Sequence, residues 1–422
     1  MPKTSVYVLY TGGTIGCVNS PKGLKPASKD AFKDLLLSQP GFSKVLGSSS
    51  DTLDLEVQKS DDADTLLNID LVIDSISPAI DSSSMTPTEW IEIAMKLLQN
   101  YHNHDGLVVL HGTDTMAFTA SALSYLLGRG VSKPIIVTGS QVPLSKNRND
   151  ALMNLITSVT IAATEKMSEV SLFFNTNLIR GNRSVKVSAS DFPAFDSPNY
   201  APLGTAGIEI KVKPYPSKLE PPPDCISLQK EENAKALETE LKKWQCRVED
   251  FSVISIILFP GIRASTVKAM LDKTEPKVKG VIIQAFGAGN APGNPELLGA
   301  LRDAYDDGVV LVDVTQVVKG TVDLDAYESA SGLVQAGVTS GYDLTPEAAL
   351  AKLVCLIAKE GDHPGKIAEK MQDPELGDLS LEVKVAWNQH WKALSKKRGR
   401  SHSANLLRTR TKKRKAERLE KE

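Results

Sequence analysis

The sequence has little cysteine, and its cysteines do not form the pattern of a disulfide framework or a metal site. The 422 residues contain four cysteines, at positions 17, 225, 246 and 355, and no C-x-x-C pair. Small secreted domains are dense in disulfides, and zinc sites place cysteine and histidine at short spacings. We therefore expect no bound metal and a reducing, cytoplasmic setting.

Long apolar runs and an excess of charge of one sign are also missing. The longest mainly apolar run, residues 253–259, is far shorter than the roughly 20 residues of a membrane-spanning helix. Lys and Arg number 49 against 51 Asp and Glu, which gives a net charge of −2. We therefore expect no membrane partner, and no general attraction to nucleic acid.

Several motifs of common enzyme classes are absent as well. A dinucleotide-binding G-x-G-x-x-G would need glycine at positions 11, 13 and 16, but residue 11 is threonine. The chain has neither the Gly-Lys-Ser/Thr of a P-loop nor a G-x-S-x-G nucleophile elbow. These absences argue against a nucleotide cofactor and against the usual serine hydrolase arrangement.

What is present is an alternation of strand-like and helix-like segments. Apolar runs such as SVYVLY and LVVL alternate with segments of helical periodicity, one of which (87–101) begins at Pro87 and another after Asn149 or Asp150 as the N-cap. This rhythm predicts an α/β fold with two α/β domains. The larger N-terminal domain has a mostly parallel sheet with helices on both faces, and the smaller C-terminal domain has a parallel sheet.

The alternation is interrupted once and stops before the C-terminus. We assign 1–212 to the N-terminal domain, 213–250 to a Pro-rich and charged linker with one surface helix, and 251–382 to the C-terminal domain. Residues 383–422 form a basic tail: 396–418 contains eleven Lys or Arg and one acid. Such a run is typical of a solvated, disordered tail. Alternatively it is a patch for nuclear import or for binding a polyanion. Nucleic acid is therefore possible as a partner only through residues 396–418.

The segment TGGTIG (11–16) follows the first strand, where ligands of α/β sheets bind. Its glycines fit a tight turn in which the threonines have a purely structural role. Alternatively Thr14 is a nucleophile, which requires a group elsewhere to take the proton of its hydroxyl.

Three other polar clusters are candidates for such a partner. HGTDTM (111–116) places His111, Thr113 and Asp114 at a second strand end, where they are helix caps, packing residues or catalytic groups. DSSSM (81–85) is a capping loop or an anion site at a helix start. RGNRSVKVSASDF (180–192) predicts a hairpin with R-G-N-R as its turn, and its Lys186 is a surface residue or a proton relay.

In this order, the segments resemble the bacterial-type L-asparaginase family, most closely its cytosolic type I branch. TGGTIG and HGTDTM are its two signature segments, DSSSM resembles its substrate loop, and GNRSVK carries its lysine. IIVTGSQVPL, LFFN, FPGI and GNAP extend the resemblance to both domains, over roughly residues 3–382.

The resemblance implies that the chain hydrolyses asparagine to aspartate and ammonia without a cofactor. It implies that Thr14 forms a covalent acyl-enzyme and that Thr113, Asp114 and Lys186 form a second catalytic cluster. Substrate binding would involve Thr113 and Asp114 and, in the serine loop, Asp81, Ser82 and Ser83. It also implies a homodimer or homotetramer in which a neighbour's C-terminal domain closes the pocket.

Two positions depart from the family pattern, and two other functions stay open. Leu24 stands where many relatives carry a lid tyrosine, and Ser84 replaces the usual acid of the serine loop. One alternative is an ammonia-supplying amidase subunit of a tRNA-dependent amidotransferase, although those subunits carry an additional N-terminal domain before the matching region. The other is a non-catalytic polyanion-binding protein on the same scaffold. The basic tail also leaves a nuclear fraction possible beside the cytoplasmic one.

Overall fold

The computed structural model describes residues 3–45, 51–58, 66–213, 227–324, 328–374 and 376–380. The predicted tail 383–422 and part of the predicted linker therefore lie outside the described residues. Within the described ranges, no helix is both long and apolar enough to cross a bilayer.

The described residues form eighteen strands and ten α-helices. In chain order the strands are β1 (Thr4–Gly12), β2 (Cys17–Ser20), β3 (Gly23–Pro26), β4 (Phe42–Lys44), β5 (Thr52–Gln58), β6 (Leu66–Ile80), β7 (Gly106–Leu110), β8 (Ile135–Thr138), β9 (Val170–Phe174), β10 (Asn177–Arg180), β11 (Val185–Lys186), β12 (Phe195–Asp196), β13 (Gly204–Ala206), β14 (Ile210–Val212), β15 (Ser252–Ile257), β16 (Val278–Ala285), β17 (Val310–Thr315) and β18 (Thr339–Ser340). The helices are α1 (Lys29–Leu37), α2 (Pro87–Asn100), α3 (Met116–Leu127), α4 (Ala151–Thr164), α5 (Glu231–Arg247), α6 (Ala264–Lys273), α7 (Pro295–Asp306), α8 (Glu328–Gln335), α9 (Pro346–Glu360) and α10 (Pro364–Met371).

The N-terminal domain is built on a ten-stranded sheet in the order β14-β13-β10-β9-β8-β7-β1-β6-β5-β4. The five central strands, from β9 to β6, are parallel, and antiparallel strands extend the sheet on both sides. The central strands β1, β7, β8 and β9 are nearly continuous apolar runs because both faces of the sheet are covered, each by its own apolar cluster. The predicted parallel sheet with helices on both faces is confirmed.

The C-terminal domain contains a four-stranded parallel sheet in the order β15-β16-β17-β18. Apolar clusters cover both faces of this sheet as well. The second α/β domain expected from the sequence is thus present. Its helix α9 packs against α3 of the N-terminal domain, which joins the two cores.

Helix α2 begins as the sequence predicts, with Pro87 in its first turn. Thr86 is the N-cap and forms a capping box with Glu89, whose carboxylate accepts a hydrogen bond from the Thr86 backbone N–H. In the predicted linker region, α5 buries Ala234, Leu241 and Trp244 and packs against α2 and α9. It therefore contributes apolar side chains to the N-terminal core.

The hairpin predicted for 180–192 is wrong in its turn and its pairing. Residues 181–183 form a buried 3-10 turn, and β11 pairs with the downstream strand β12. The physical reason is the two arginines of R-G-N-R. Arg180 forms an ion pair with Glu169, and Arg183 forms one with Asp343 of the C-terminal domain, so this turn lies in an interface and away from solvent.

The Arg183–Asp343 pair is a buried ion pair that links the two domains. Arg183 Nη1 is 2.9 Å from Asp343 Oδ2, and the two side chains are 1% and 5% exposed. Arg183 Nε also donates to the carbonyl of Gly377. Breaking a buried pair leaves an uncompensated charge and is strongly destabilising, whereas exposed pairs contribute little.

We predict that Arg183→Met lowers the free energy of unfolding by about 3–5 kcal/mol, because Asp343 is left buried without its cation. The matched control is Arg302→Met, which removes an exposed pair with Asp306 and should cost less than about 1 kcal/mol. Guanidinium unfolding of both variants measures the difference. Equal losses in the two variants would contradict the role assigned to the buried pair.

Candidate active site

The carboxyl ends of three neighbouring strands meet at one edge of the large sheet. Strand β1 lies between β6 and β7, with Gly12 opposite Ile80 and Tyr10 opposite Leu110. The segments that follow these strands are therefore adjacent in space. They are TGGTIG, the serine loop after Ile80, and HGTDTM, three of the four segments singled out from the sequence.

Glycine residues allow the backbones of these segments to come into direct contact. Gly13 has φ 78°, and a Cβ there would lie 2.3 Å from the backbone nitrogen of Gly112. A Cβ on Gly112 would in turn lie 2.4 Å from Ser82 Oγ. Any side chain at either position would push the strand ends apart, so Gly-Gly in TGGTIG serves close packing as well as the turn.

Thr14 begins a 3-10 turn, Thr14–Gly16, immediately after this contact. Its side chain is half-buried, and its hydroxyl makes no hydrogen bond to another residue in the described ranges. A backbone hydrogen bond fixes this turn, because the Leu144 N–H donates to the carbonyl of Ile15 at 3.1 Å. Thr14 is thus a fixed residue with a hydroxyl available to a ligand.

Lys186 joins the residues of HGTDTM at the same edge. Its Nζ donates to Thr113 Oγ1 at 2.9 Å and to Asp114 Oδ1 at 2.7 Å. The Lys186 side chain is 20% exposed and that of Asp114 is 64% exposed, so the pair faces an open site. The structure therefore brings Thr113, Asp114 and Lys186 into one hydrogen-bonded cluster, although 72 residues separate Asp114 from Lys186.

A supporting network behind Thr113 was not predicted from the sequence. Gln141, after the neighbouring strand β8, accepts a hydrogen bond from Thr113 Oγ1 at 3.3 Å. Its side-chain nitrogen donates to the carbonyls of Ser188 and Asp191, beyond Lys186. The Asp150 carboxylate fixes this loop by accepting from the Gln141 backbone N–H at 2.9 Å. The signal available in the sequence was Gln141 at another strand end of the same sheet.

The serine loop shows both a capping role and an open polar face. Asp81 Oδ1 accepts from the backbone N–H and the hydroxyl of Ser83, both at 2.9 Å. Ser82 is buried, and its carbonyl accepts from Thr115 Oγ1 at 2.7 Å. Asp81 and Ser83 are exposed at the edge where Thr14 lies. The capping interpretation is therefore correct for Asp81 and leaves the loop's outer surface available to a ligand.

His111 is a packed residue. It is fully buried, its Nδ1 lies 2.7 Å from the carbonyl of Gly112, and its Nε2 lies 2.9 Å from Thr119 Oγ1. Donation from Nδ1 to the carbonyl leaves Nε2 to accept from the hydroxyl, which is the neutral ring. Burial lowers the pKa of His111 to about 4. This geometry supports the structural interpretation of His111 over that of a base.

The segment after TGGTIG is the short hairpin of β2 and β3. Its outer residue Leu24 is 51% exposed, at the position where the resemblance led us to expect a tyrosine. The Ala27 backbone N–H donates to the carbonyl of Gly16 at 3.1 Å, which ties the end of the hairpin to the Thr14 turn. In the described part of the chain, no group of three or more His, Cys, Asp or Glu is arranged to hold a metal ion.

We predict that His111 makes stability fall on acidification. Because its pKa is about 4 when folded and about 6.5 when unfolded, the unfolded chain binds more protons between these values, and stability is lost as pH falls. Wild type should lose about 2 kcal/mol from this group between pH 7 and pH 5. In His111→Gln this part of the pH dependence disappears. Urea unfolding at the two pH values measures it, and an unchanged slope in the variant would contradict the burial argument.

Comparison with known proteins assigns the family. Residues 5–218 match the model described as Asparaginase, N-terminal, and residues 252–371 match the Glutaminase/Asparaginase C-terminal domain. The chain is 40% identical to L-asparaginase 1 of Escherichia coli K12 over 362 residues, which is 86% of this chain and 94% of that protein. It is 35% identical to the 60 kDa lysophospholipase of Mus musculus, over 92% of this chain and 66% of that protein.

The solved structures agree with this assignment. The crystal structure of L-asparaginase I from Vibrio cholerae superposes with a TM-score of 0.68 at 36% identity, and the match covers 90% of this chain and all of that one. The fold, both domain models and the relatives point the same way: the chain belongs to the asparaginase family.

Proposed function

We propose that this protein is an L-asparagine amidohydrolase that converts asparagine to aspartate and ammonia. The observation that carries the proposal is the contact of Lys186 Nζ with Thr113 and Asp114 at the strand end next to Thr14. It supplies the proton-handling group that a threonine nucleophile requires. The identity to L-asparaginase 1 of E. coli supports the same reaction over the two alternatives.

In the proposed first step, Thr14 Oγ attacks the side-chain amide carbon of asparagine. The hydroxyl proton passes through the cluster of Thr113 and Lys186 to the amide nitrogen, the C–N bond breaks, and the nitrogen leaves as ammonia. Water then attacks the acyl ester, aspartate is released, and a proton from that water restores the Thr14 hydroxyl. Proton transfer by a positioned group contributes typically about 10²–10⁴ in rate, which is why the contact with Lys186 matters.

The substrate would be held by polar and charged groups in the segments that follow two of the three strands. Asp114 uses Oδ1 for Lys186, and within the described residues its Oδ2 has no hydrogen-bond partner, so it is available to the substrate ammonium. Asp81 is the N-cap of the 3-10 turn Ser82–Ser84, and this loop, with Asp81, Ser82 and Ser83, would hold the α-carboxylate and the ammonium of the substrate. Backbone N–H groups near Thr14, together with Thr113, would stabilise the oxyanion.

The assembly we propose is a homodimer or homotetramer in which a neighbour's C-terminal domain closes the site. The exposed apolar side chain of Ile257 ends β15 and that of Phe259 follows it, and the exposed Val317 and Val318 follow β17, at one edge of the smaller sheet. Such a patch is typical of a protein interface. A cytoplasmic location is part of the proposal. The possible nucleic-acid contact through 396–418 remains a prediction, since it lies outside the described residues.

We predict that Thr14→Ala and Lys186→Met each reduce ammonia release from asparagine by at least about 10³-fold, because each removes a reacting group. The matched controls, Thr239→Ala and Lys268→Met on the outer helices α5 and α6, should retain wild-type activity. The measurement is ammonia release against asparagine concentration, with glutamine assayed alongside. Full activity in Thr14→Ala would remove the basis of the mechanism.

We also predict that Gln141→Leu lowers kcat roughly three- to tenfold with a smaller change in KM, because Thr113 loses the acceptor that orients its hydroxyl. Gln229→Leu, an exposed residue before α5, is the matched control and should leave both constants unchanged. If Gln141→Leu raised KM while leaving kcat unchanged, Gln141 would act in substrate binding and have no effect on Thr113.

A further inference from the structure

A second cavity lies at the far end of α3 from the active site. Helix α3 begins immediately after Thr115 and spans 12 residues, about 18 Å at 1.5 Å per residue. At its C-terminal end, a cavity of about 790 Å³ is enclosed by α3, α5, α9 and α10. Small-molecule sites typically measure about 300–1,000 Å³, so this space is large enough for a ligand.

One wall of the cavity is apolar. The indole of Trp244 on α5 lines it together with Leu126, Leu127, Leu228 and Leu237. Trp244 is only 7% exposed, and the leucines of α3 are buried. The partly exposed Leu237 and Leu356 are the apolar lining side chains from which a ligand would displace water, at roughly 25 cal/mol per Å² of area removed.

The two buried carboxylates of the lining are already paired with lysines. Glu360 lies 2.6 Å from Lys366 and 2.5 Å from Lys370, and Asp378 lies 2.6 Å from Lys352. Both acids are nearly inaccessible, at 8% and 0% side-chain exposure. A third lining carboxylate, Glu240, pairs with Lys243 at 2.7 Å, which leaves Asp373 as the unpaired carboxylate of the described lining.

Arg129 is one of three charged lining residues that form none of these pairs. It lines the cavity after α3, and its Nε is buried with no hydrogen-bond acceptor. Its guanidinium forms no ion pair with any residue in the described ranges, and neither does the nearby Lys359; Asp373, a carboxylate at the rim, is exposed and likewise unpaired there. A guanidinium stays charged at all accessible pH values, and a buried donor without an acceptor is costly.

The combination of an apolar wall and an unpaired guanidinium specifies a class of ligand. We propose that this cavity binds a small anion with an apolar body, such as a fatty acid or an alkyl phosphate. Its anionic group pairs with Arg129, in the bidentate geometry that guanidinium forms with carboxylate and phosphate, and its chain lies against the partly exposed Leu237 and Leu356. The site is separate from the proposed catalytic residues and does not depend on their roles.

The test is titration calorimetry of the full chain with dodecanoate, dodecyl phosphate and the neutral dodecanol, each below its aggregation concentration. We expect saturable one-to-one binding of at least one anion, and at least about tenfold weaker binding of dodecanol, since a hydrogen bond to a charged group is lost. The two anions distinguish a carboxylate from a phosphate head group, and binding of either supports the proposal.

Three variants locate the site. Arg129→Leu should weaken anion binding at least about tenfold, while Arg263→Leu, which removes an exposed arginine of the C-terminal domain, should not change it. Ala236→Trp fills the cavity and should abolish binding with Arg129 intact. Circular dichroism melting confirms that each variant is folded. Unsaturable binding, equal affinity for dodecanol, or unchanged affinity in Arg129→Leu would overturn the proposal.

Discussion

The site depends on one steric constraint, the contact between the ends of three adjacent strands. Gly13 and Gly112 touch through their backbones, and Ser82 closes on Gly112 from the other side. No residue with a Cβ fits at either glycine without separating the strands. The cluster of hydroxyls and carboxylates is therefore a consequence of sheet packing: once β6, β1 and β7 pair in register, Thr14, the serine loop and HGTDTM must be neighbours.

Lys186 reaches this edge by a different route, which depends on packing between the domains. It follows the 3-10 turn 181–183, whose Arg183 is bound to Asp343 and to the carbonyl of Gly377 in the C-terminal part of the chain. On the far side, Gln141 bridges Thr113 to the backbone after Lys186. The lysine is thus held by the C-terminal domain on one side and by the β8 loop on the other. Assembly of the site and docking of the two domains are coupled for this reason.

The sequence predicted what depends on local pattern. The alternation of strand and helix indicated the two sheets, and glycine and hydroxyl residues at strand ends indicated where polar groups meet. It did not predict features decided by distant partners. R-G-N-R has the composition of an exposed turn, but Arg183 is buried in an ion pair with Asp343, which lies 160 residues further along the chain. Asp150 lies at the N-cap of α4, yet its carboxylate binds the Gln141 and Val142 backbone, and Asn149 accepts from the Leu152 N–H.

The same geometry restricts how the proposed reaction can move its proton. His111 is the one histidine in the segments that surround Thr14, but its two ring nitrogens are occupied by Gly112 and Thr119, and burial keeps it neutral. A second proton on its ring would turn Nε2 from an acceptor into a donor and force the Thr119 hydroxyl to reorient inside the core, where burial disfavours the charged ring. Lys186, by contrast, is partly exposed and contacts a hydroxyl and a carboxylate that face the open site. Packing therefore argues against a histidine relay of the serine hydrolase kind, and the proposed mechanism assigns the proton of the Thr14 hydroxyl to the lysine and Thr113.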